Sequence, residues 1–462
     1  MFSGIITGIA PGNTGTRSET ISQSREDPDK SKPVFLYSTI NFIYFTPIKN
    51  LYQVVYLKKI CHTISVALIV ILVFGSVAVT SAAAREQKPV EEIKLTADIP
   101  VADAQFGRSV AIAGDLVAVG EGGDGAVGAV YLYRHQGMKY VPVATLISPD
   151  AAPHTYPEFG RTVAIQGDTV FVGARFAQAG DLERAGAVYV FRKHGNAWRF
   201  EAKIVSPVPE DEDNFGRALT VWGNLLVVTA RKSSLEEGSA YIFEKKGGRW
   251  IHQADLVAND AAPGAYFGQS VDMQGDLIAI GARNADPGEA GAVYFFRKSQ
   301  DGWTEIAKVT PENGKKNDQY GFTVDISGNV VAVGARRADP DSLTDAGAVY
   351  VYSVKKDSVD LVTRLTPGDA SAKDEFGQSV AIAGDTIAVG AWKDDNRLGS
   401  IYLFRTKGGR WIETGKITAS DGVAGDEFGY SLAAFGNKMV TGAHFADAKA
   451  GAAYVLPVKQ SR

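Results

Sequence analysis

The chain has 462 residues, of which 45% are hydrophobic and 22% charged, and its formal charge is −4. Residues 1–84 carry seven Lys/Arg against four Asp/Glu, which leaves the rest at about −7 and argues against nucleic acid as a main partner. The single cysteine, Cys61, precedes that acidic body and so excludes disulfides, cysteine–zinc sites and a thiol nucleophile from it.

Residues 1–57 are Ser/Thr-rich, hold a charged patch from Arg25 to Lys32 and show no sustained period, so they read as a disordered extension. Lys58 and Lys59 then precede an apolar run, Ile60 to Val79, that ends in Thr80-Ser81-Ala82-Ala83-Ala84. Lysines, apolar core and small residues are the three parts of a secretory signal, here residues 58–84 with cleavage after Ala84. An uncleaved anchor is the competing reading, because twenty residues at 1.5 Å rise just span a bilayer; the Ala-x-Ala end favours cleavage. Either way the lysines place the rest of the chain on the far side of the membrane, so the expected location is secreted, periplasmic or cell-surface. The only membrane contact expected is through this segment. No Met lies between Met1 and Met138, and a signal normally opens at its lysines, so the extension reads as a mis-assigned start.

From residue 85 onward the chain repeats one unit seven times. Each unit opens on an aromatic-Gly pair: Phe106-Gly107, Phe159-Gly160, Phe215-Gly216, Phe267-Gly268, Tyr320-Gly321, Phe376-Gly377 and Phe428-Gly429. Their spacings are 53, 56, 52, 53, 56 and 52 residues. Within a unit come an alternating strand, a Gly-Asp or Gly-Asn hairpin, an apolar strand, a Gly-Ala/Ser strand with Tyr, and a strand that often begins with Trp. A period near fifty built of short strands predicts an all-β, seven-bladed propeller with four-stranded blades. Six outer strands follow the first three of a unit, beginning near Tyr140, Arg199, Trp250, Trp303, Asp360 and Trp411. The seventh is expected at the front, in Glu91 to Ala97, where it completes the last blade and closes the ring between the termini.

The order of these pieces resembles the FG-GAP repeat family, the propeller module of integrin α-subunits and of many bacterial exported proteins; the likeness covers about residues 90–459. The resemblance implies a β-propeller that mounts a binding surface. Two departures stand out. The family's Pro after Gly-Ala is replaced by Arg175, Arg231, Arg283, Arg336, Trp392 and His444, with Gly122 in the first unit. The Asp-x-Asp-x-Asp-Gly loop of calcium-binding integrin blades is cut to two residues, such as Gly384-Asp385, which cannot supply six to eight oxygens. No cofactor is therefore expected, and calcium is not supported.

Strand direction places the recurrent arginines, Trp392 and His444 on one face, together with acidic inter-blade loops at Glu158, Glu210 to Asp213, Asp318, Asp374-Glu375 and Asp426-Glu427. Arg175, Arg231, Arg283, Arg336, Trp392 and His444 are the candidate ligand-binding residues. The competing view is that each arginine salt-bridges an acid of the neighbouring blade and locks the ring. Solvation, rather than weak calcium binding, is expected of the acidic loops. Trp198, Trp250, Trp303 and Trp411 are expected to pack rather than stack on sugars. Ser299 to Trp303 does not make a sialidase Asp-box, as it occurs once and with the wrong spacing. None of His62, His135, His154, His194, His252 and His444 pairs with another at metal-ligand spacing, and no Gly-x-Ser-x-Gly or phosphate loop occurs. The expected function is an exported, non-enzymatic binding or adhesion module for an extracellular protein or glycan. The alternatives are an extracellular hydrolase or lyase acting on polysaccharide, which should gather carboxylates or histidines at one mouth of the central channel, and a scaffold within an envelope assembly.

Overall fold

A computed structural model describes residues 92–122, 127–150, 156–285, 288–356 and 358–458. The expected extension and signal or anchor, 1–57 and 58–84, lie outside these residues. Among the described residues no helix is long and apolar enough to cross a membrane.

Seven four-stranded antiparallel sheets make up the fold, each blade using strands in chain order except the last. The sixth is typical: Phe376–Ala383 inside, then Thr386–Ala391, Ser400–Lys407 and Arg410–Ile417. Its hairpin glycine, Gly384, sits at φ 61, a left-handed conformation that glycine adopts without a Cβ clash. The second strand is buried throughout, as its unbroken apolar run requires. The outer strands begin within about two residues of expectation, and Trp198, Trp250, Trp303 and Trp411 pack half-buried against the inter-blade cores.

The last blade runs Ile93–Leu95, Ala452–Pro457, Lys438–Ala443, Phe428–Phe435 from outside in. The N-terminal strand is shorter than the seven residues expected, but it pairs as predicted, with Lys94 opposite Tyr454. Its chemistry matches that of the other outer strands. Lys94 Nζ and the Tyr454 hydroxyl both donate to Asp421, at 2.7 and 2.9 Å. The same clasp recurs with Lys203 and Tyr189 on Asp150, Lys308 and Tyr294 on Asp260, and Lys416 and Tyr402 on Asp369. Burial tends to raise the pKa of these aspartates, but the lysine and tyrosine bonds outweigh it and hold them below the usual carboxylate range.

Neighbouring blades meet through glycine. The backbone N–H of each opening aromatic donates to the carbonyl that precedes the third-strand glycine of the blade before: Phe428 to Leu398 at 2.9 Å, and Phe106 to Ala450 at 3.0 Å. A Cβ on Gly399 would lie 2.1 Å from the Phe428 oxygen, and one on Gly451 2.1 Å from that of Phe106. One layer inward, a Cβ on Gly442 would sit 1.8 Å from the Gly107 oxygen. Hydroxyls sew the same seam. Ser109, Thr162, Ser270, Ser379 and Ser431 each donate to the carbonyl of the next blade's Phe-Gly or Tyr-Gly glycine, at 2.7–3.1 Å. In the third blade, where Ala218 holds that place, Thr229 takes over at 2.8 Å.

Two carboxylates, Asp272 and Asp325, stand on neighbouring inner strands and reach across to the next blade. Asp272 accepts the Ile326 N–H at 2.8 Å and the Thr220 hydroxyl at 2.9 Å, while Asp325 accepts the Ile382 N–H at 2.7 Å. They act as backbone clamps. Burial raises both above the ordinary range, and the charge of Asp272 adds to the push on Asp325.

Two outcomes test this account. Gly442→Ala should lower the melting temperature sharply, a loss of about 3 kcal/mol or more from forced overpacking. Gly436→Ala, in an open hairpin with nothing within 4 Å of a new Cβ, should cost only the left-handed backbone penalty of about 1–2 kcal/mol. Equal losses would refute the close-contact account of the blade junction. The aspartates give a pH signature. Because their folded pKa lies above the unfolded value of about 3.9, the native state holds the extra protons, and stability falls as pH rises past about 4. Asp272→Asn with Asp325→Asn should therefore melt higher than wild type at neutral pH and converge with it near pH 4; a constant difference across that range would exclude the titration.

Candidate functional site

The mouth is built from a turn that repeats seven times. The residue before each opening aromatic takes a left-handed conformation although none is glycine, with φ from 51 at Glu375 to 62 at Glu427. Its carbonyl accepts the N–H of the residue after the glycine, as from Arg161 to Glu158 at 3.0 Å and from Tyr430 to Glu427 at 3.2 Å. The turn places three side chains per blade around one mouth of the axis: the turn residue, the one after the glycine, and the one ending the second strand.

Of the six predicted site residues, all lie at this mouth, and they do different things. Arg175 makes a two-pronged bond to Glu158 of its own unit, 2.6 Å through Nε and 3.0 Å through the terminal nitrogen. Arg336 bridges blades, binding Gln319 at 2.7 Å in its own unit and Gln378 at 2.8 Å in the next, 3.3 Å from Glu375. Trp392 donates its indole N–H to Glu375 at 3.0 Å, a carboxylate that Lys393 also binds. His444 Nε2 lies 3.2 Å from Glu427, which also takes the Arg397 guanidinium from the preceding blade. Arg231 and Arg283 differ: among the described residues neither has a carboxylate partner, and both guanidiniums rest 4.9 Å from the Tyr266 ring. Locking between blades therefore describes Arg336, whereas Arg175 is paired within its own unit because the turn brings Glu158 back beside it.

Solvation describes Glu210, Asp211 and Glu212, which are exposed, but not the acids nearest the opening aromatics. Glu158, Asp213, Glu375 and Glu427 are at most 2% exposed, and Asp318, Asp374 and Asp426 are buried. Asp213, Asp318, Asp374 and Asp426 each accept the N–H three residues earlier, which closes the loop on itself. Burial raises all four, Asp213 and Asp374 to about 6. Asp421, singled out with Asp426-Glu427 as a weak calcium candidate, is taken by Lys94 and Tyr454. Among the described residues no group of three or more His, Cys, Asp or Glu is placed to hold a metal.

Sequence reasoning missed the residues after the glycine: Arg108, Arg161 and Arg217 in the first three units, and Tyr430 in the seventh. A Phe-Gly-Arg triplet written three times was the available signal. Arg108 binds Gln105 at 2.6 Å and lies 5.1 Å from the Tyr430 ring. In the divergent first unit a side chain at Gly122 would meet the backbone nitrogen of Arg161 at 2.8 Å. Aromatic groups fill the other side of the mouth: Tyr430 packs 3.9 Å from His444 and 5.6 Å from Trp392, and Phe445 stacks on His444 at 4.3 Å. Burial, then the charges of Arg108, Arg161 and Arg397, push His444 well below its usual range, which disfavours the imidazolium. Burial likewise raises Glu427 to about 7, opposed by Arg397.

The FG-GAP repeat family model matches seven segments, 89–133, 140–191, 198–243, 250–296, 303–352, 359–404 and 411–456. No curated protein matches. Among solved structures, a chain of the Mitotic Checkpoint Complex superposes with a TM-score of 0.53 at 13% identity, covering 82% of this chain and 94% of that one. Sqt1 of Saccharomyces cerevisiae gives 0.44 at 11% identity, covering 76% and 82%, and a candidate 6-phosphogluconolactonase of Bacteroides uniformis gives 0.49 at 12%, covering 68% and 86%. At these identities the likeness speaks for the propeller alone. Seven matched segments, one per blade and each ending in the third strand, place this chain in the FG-GAP repeat family.

Proposed function

We propose that the chain is an exported, non-enzymatic binding propeller that presents its arginine- and aromatic-lined mouth to an extracellular protein or glycan. The observation that carries this reading is the difference between the two faces. The Gly-Asp and Gly-Asn hairpins stay at two residues in all seven blades, whereas the second-to-third connections on the mouth face run from seven residues between Glu121 and Ala129 to twelve between Ala174 and Ala187. Uniform turns serve the ring; variable ones can be shaped for a partner. The carboxylates at the mouth are engaged by arginine, lysine or tryptophan, which favours recognition over acid–base chemistry.

A glycan array and pull-down with residues 85–462 should capture a ligand. Trp392→Ala combined with Arg336→Ala should then weaken its binding about tenfold or more without unfolding the ring. Because Glu375 loses two partners in that variant, a lower melting temperature is expected alongside. Binding that survives there but is abolished by changes in the Gly-Asp hairpins would place the ligand on the opposite face.

The reading includes no calcium. Melting curves in chelator and in millimolar calcium should coincide, since a two-residue hairpin has too few oxygens to fill the cation's shell. A large upward shift with calcium would contradict it.

A further inference from the structure

Positive charge at the mouth is concentrated on one side, and Glu236, whose charge reaches Arg231 and Arg283, is itself bound by Tyr266 and Lys232. Arg161 and Arg217 follow the Phe-Gly pairs of the second and third blades, and Arg175, Arg231 and Arg283 end the second strands of blades two to four. Arg175 is matched by Glu158. Arg217, Arg231 and Arg283 have no carboxylate partner among the described residues, and the Nε of each is shielded from water without a hydrogen-bond acceptor. Arg231 is only 9% exposed. Burial lowers the pKa of all three, and for two of them the repulsion of neighbouring guanidiniums adds to it: Arg217 lies in the field of Arg231, Arg161, Arg175 and Arg283, and Arg231 falls to about 10, whereas at Arg283 the push of Arg337 is opposed by Tyr266 and Glu236. A guanidinium keeps its proton at neutral pH, so each carries a full positive charge. Recessed like charges with unmet donors are costly to keep, and Tyr266 holds two of them in fixed positions.

Guanidiniums donate and never accept. Glu158, Glu375 and Glu427 are already occupied, so a ligand entering beside these arginines must bring acceptors and few donors. A peptide brings an N–H at nearly every residue. A sulfated or uronate sugar brings oxyanions, which match the planar fork of arginine, and keeps its hydroxyls toward solvent. The other side of the mouth holds Trp392, Tyr430 and Phe445, whose rings already pack on each other, on His444 and against Lys393, Arg397 and Arg108.

We infer that the mouth is an oxyanion-binding site, built by Arg217, Arg231 and Arg283, for the sulfate or carboxylate groups of an acidic glycan. This inference rests on the reading of the mouth as the ligand face. A bound anion supplies the missing acceptors and relieves the repulsion among the three guanidiniums, so it stabilises the ring as well as occupying it.

The test uses the full chain with sodium sulfate against sodium chloride at equal ionic strength, then a sulfated oligosaccharide, its desulfated form, a polyuronate and polyglutamate. Sulfate should raise the melting temperature above that in chloride. The sulfated oligosaccharide or the polyuronate should bind with an affinity that falls as salt rises, and the desulfated sugar should not. Arg217→Gln and Arg231→Gln should each weaken binding about tenfold or more, while Arg231→Lys recovers part of it. The unliganded melting temperature of the glutamine variants should hold or rise, whereas an arginine serving only the fold would lower it. Equal melting in sulfate and chloride, with acidic glycan binding untouched by both glutamine variants, would overturn the site. Polyglutamate binding more tightly than every acidic sugar would overturn the glycan assignment. A neutral glycan lost with Trp392→Ala but indifferent to Arg217 and Arg231 would sink the oxyanion site and leave the ligand face standing; binding that maps to the Gly-Asp hairpins would sink both.

Discussion

Everything in this fold depends on how closely one blade can approach the next. The opening aromatic inserts its backbone against the third-strand glycine of the preceding blade, and the glycine beside it faces a second-strand glycine across the same seam in most blades. With a Cβ on Gly281 only 1.9 Å from the Gly321 oxygen, or on Gly128 only 1.9 Å from that of Phe159, no other residue fits without moving a sheet. That proximity is what brings the Ser and Thr hydroxyls within hydrogen-bonding distance of the neighbouring carbonyl and buries the opening aromatic rings. The Phe-Gly and Gly-Ala pairs that mark the repeat are thus one contact seen from its two sides.

The same approach explains the mouth. To dock its aromatic, the chain must first turn through a left-handed residue, and that turn lifts the side chains on either side of it toward the axis. A residue there has few choices. Glu158 and Glu375 bind the second-strand residues beside them; Tyr266 has no charge to offer and instead lies beneath two arginines. The result is an ion-paired sector at blades five to seven, rich in aromatics, and a cationic sector with unmet donors at blades three and four. Chemical asymmetry is laid on a scaffold whose backbone is nearly sevenfold.

Closure comes from a clasp rather than from strand length. Ile93–Leu95 is three residues long, too short to anchor a terminus through its ladder bonds alone. Lys94 completes an Asp–Lys–Tyr set already repeated in three other blades, and Leu95 is buried against Val455 and Ala453. The terminal strand therefore enters a site whose chemistry the rest of the ring already uses.

The sequence by itself determined the repeat, the strand count and the shared last blade, because glycine at a close approach, aromatic anchors and strand alternation are local demands that each unit states in its own residues. Arg336 as an inter-blade bridge and the packing role of the four tryptophans were legible for the same reason. Only the tertiary structure decided the fate of the charges. Glu158 and Asp374 look like members of solvated acidic runs, yet they are buried, since whether a carboxylate meets water or a neighbour's N–H depends on which blade lies over it. Asp272 and Asp325, 53 positions apart, become neighbours only when two inner strands stand side by side. Arg217, Arg231 and Arg283 likewise form one cationic cluster because the ring turns separate repeats toward a common axis, a relation that the spacing of residues along the chain does not express.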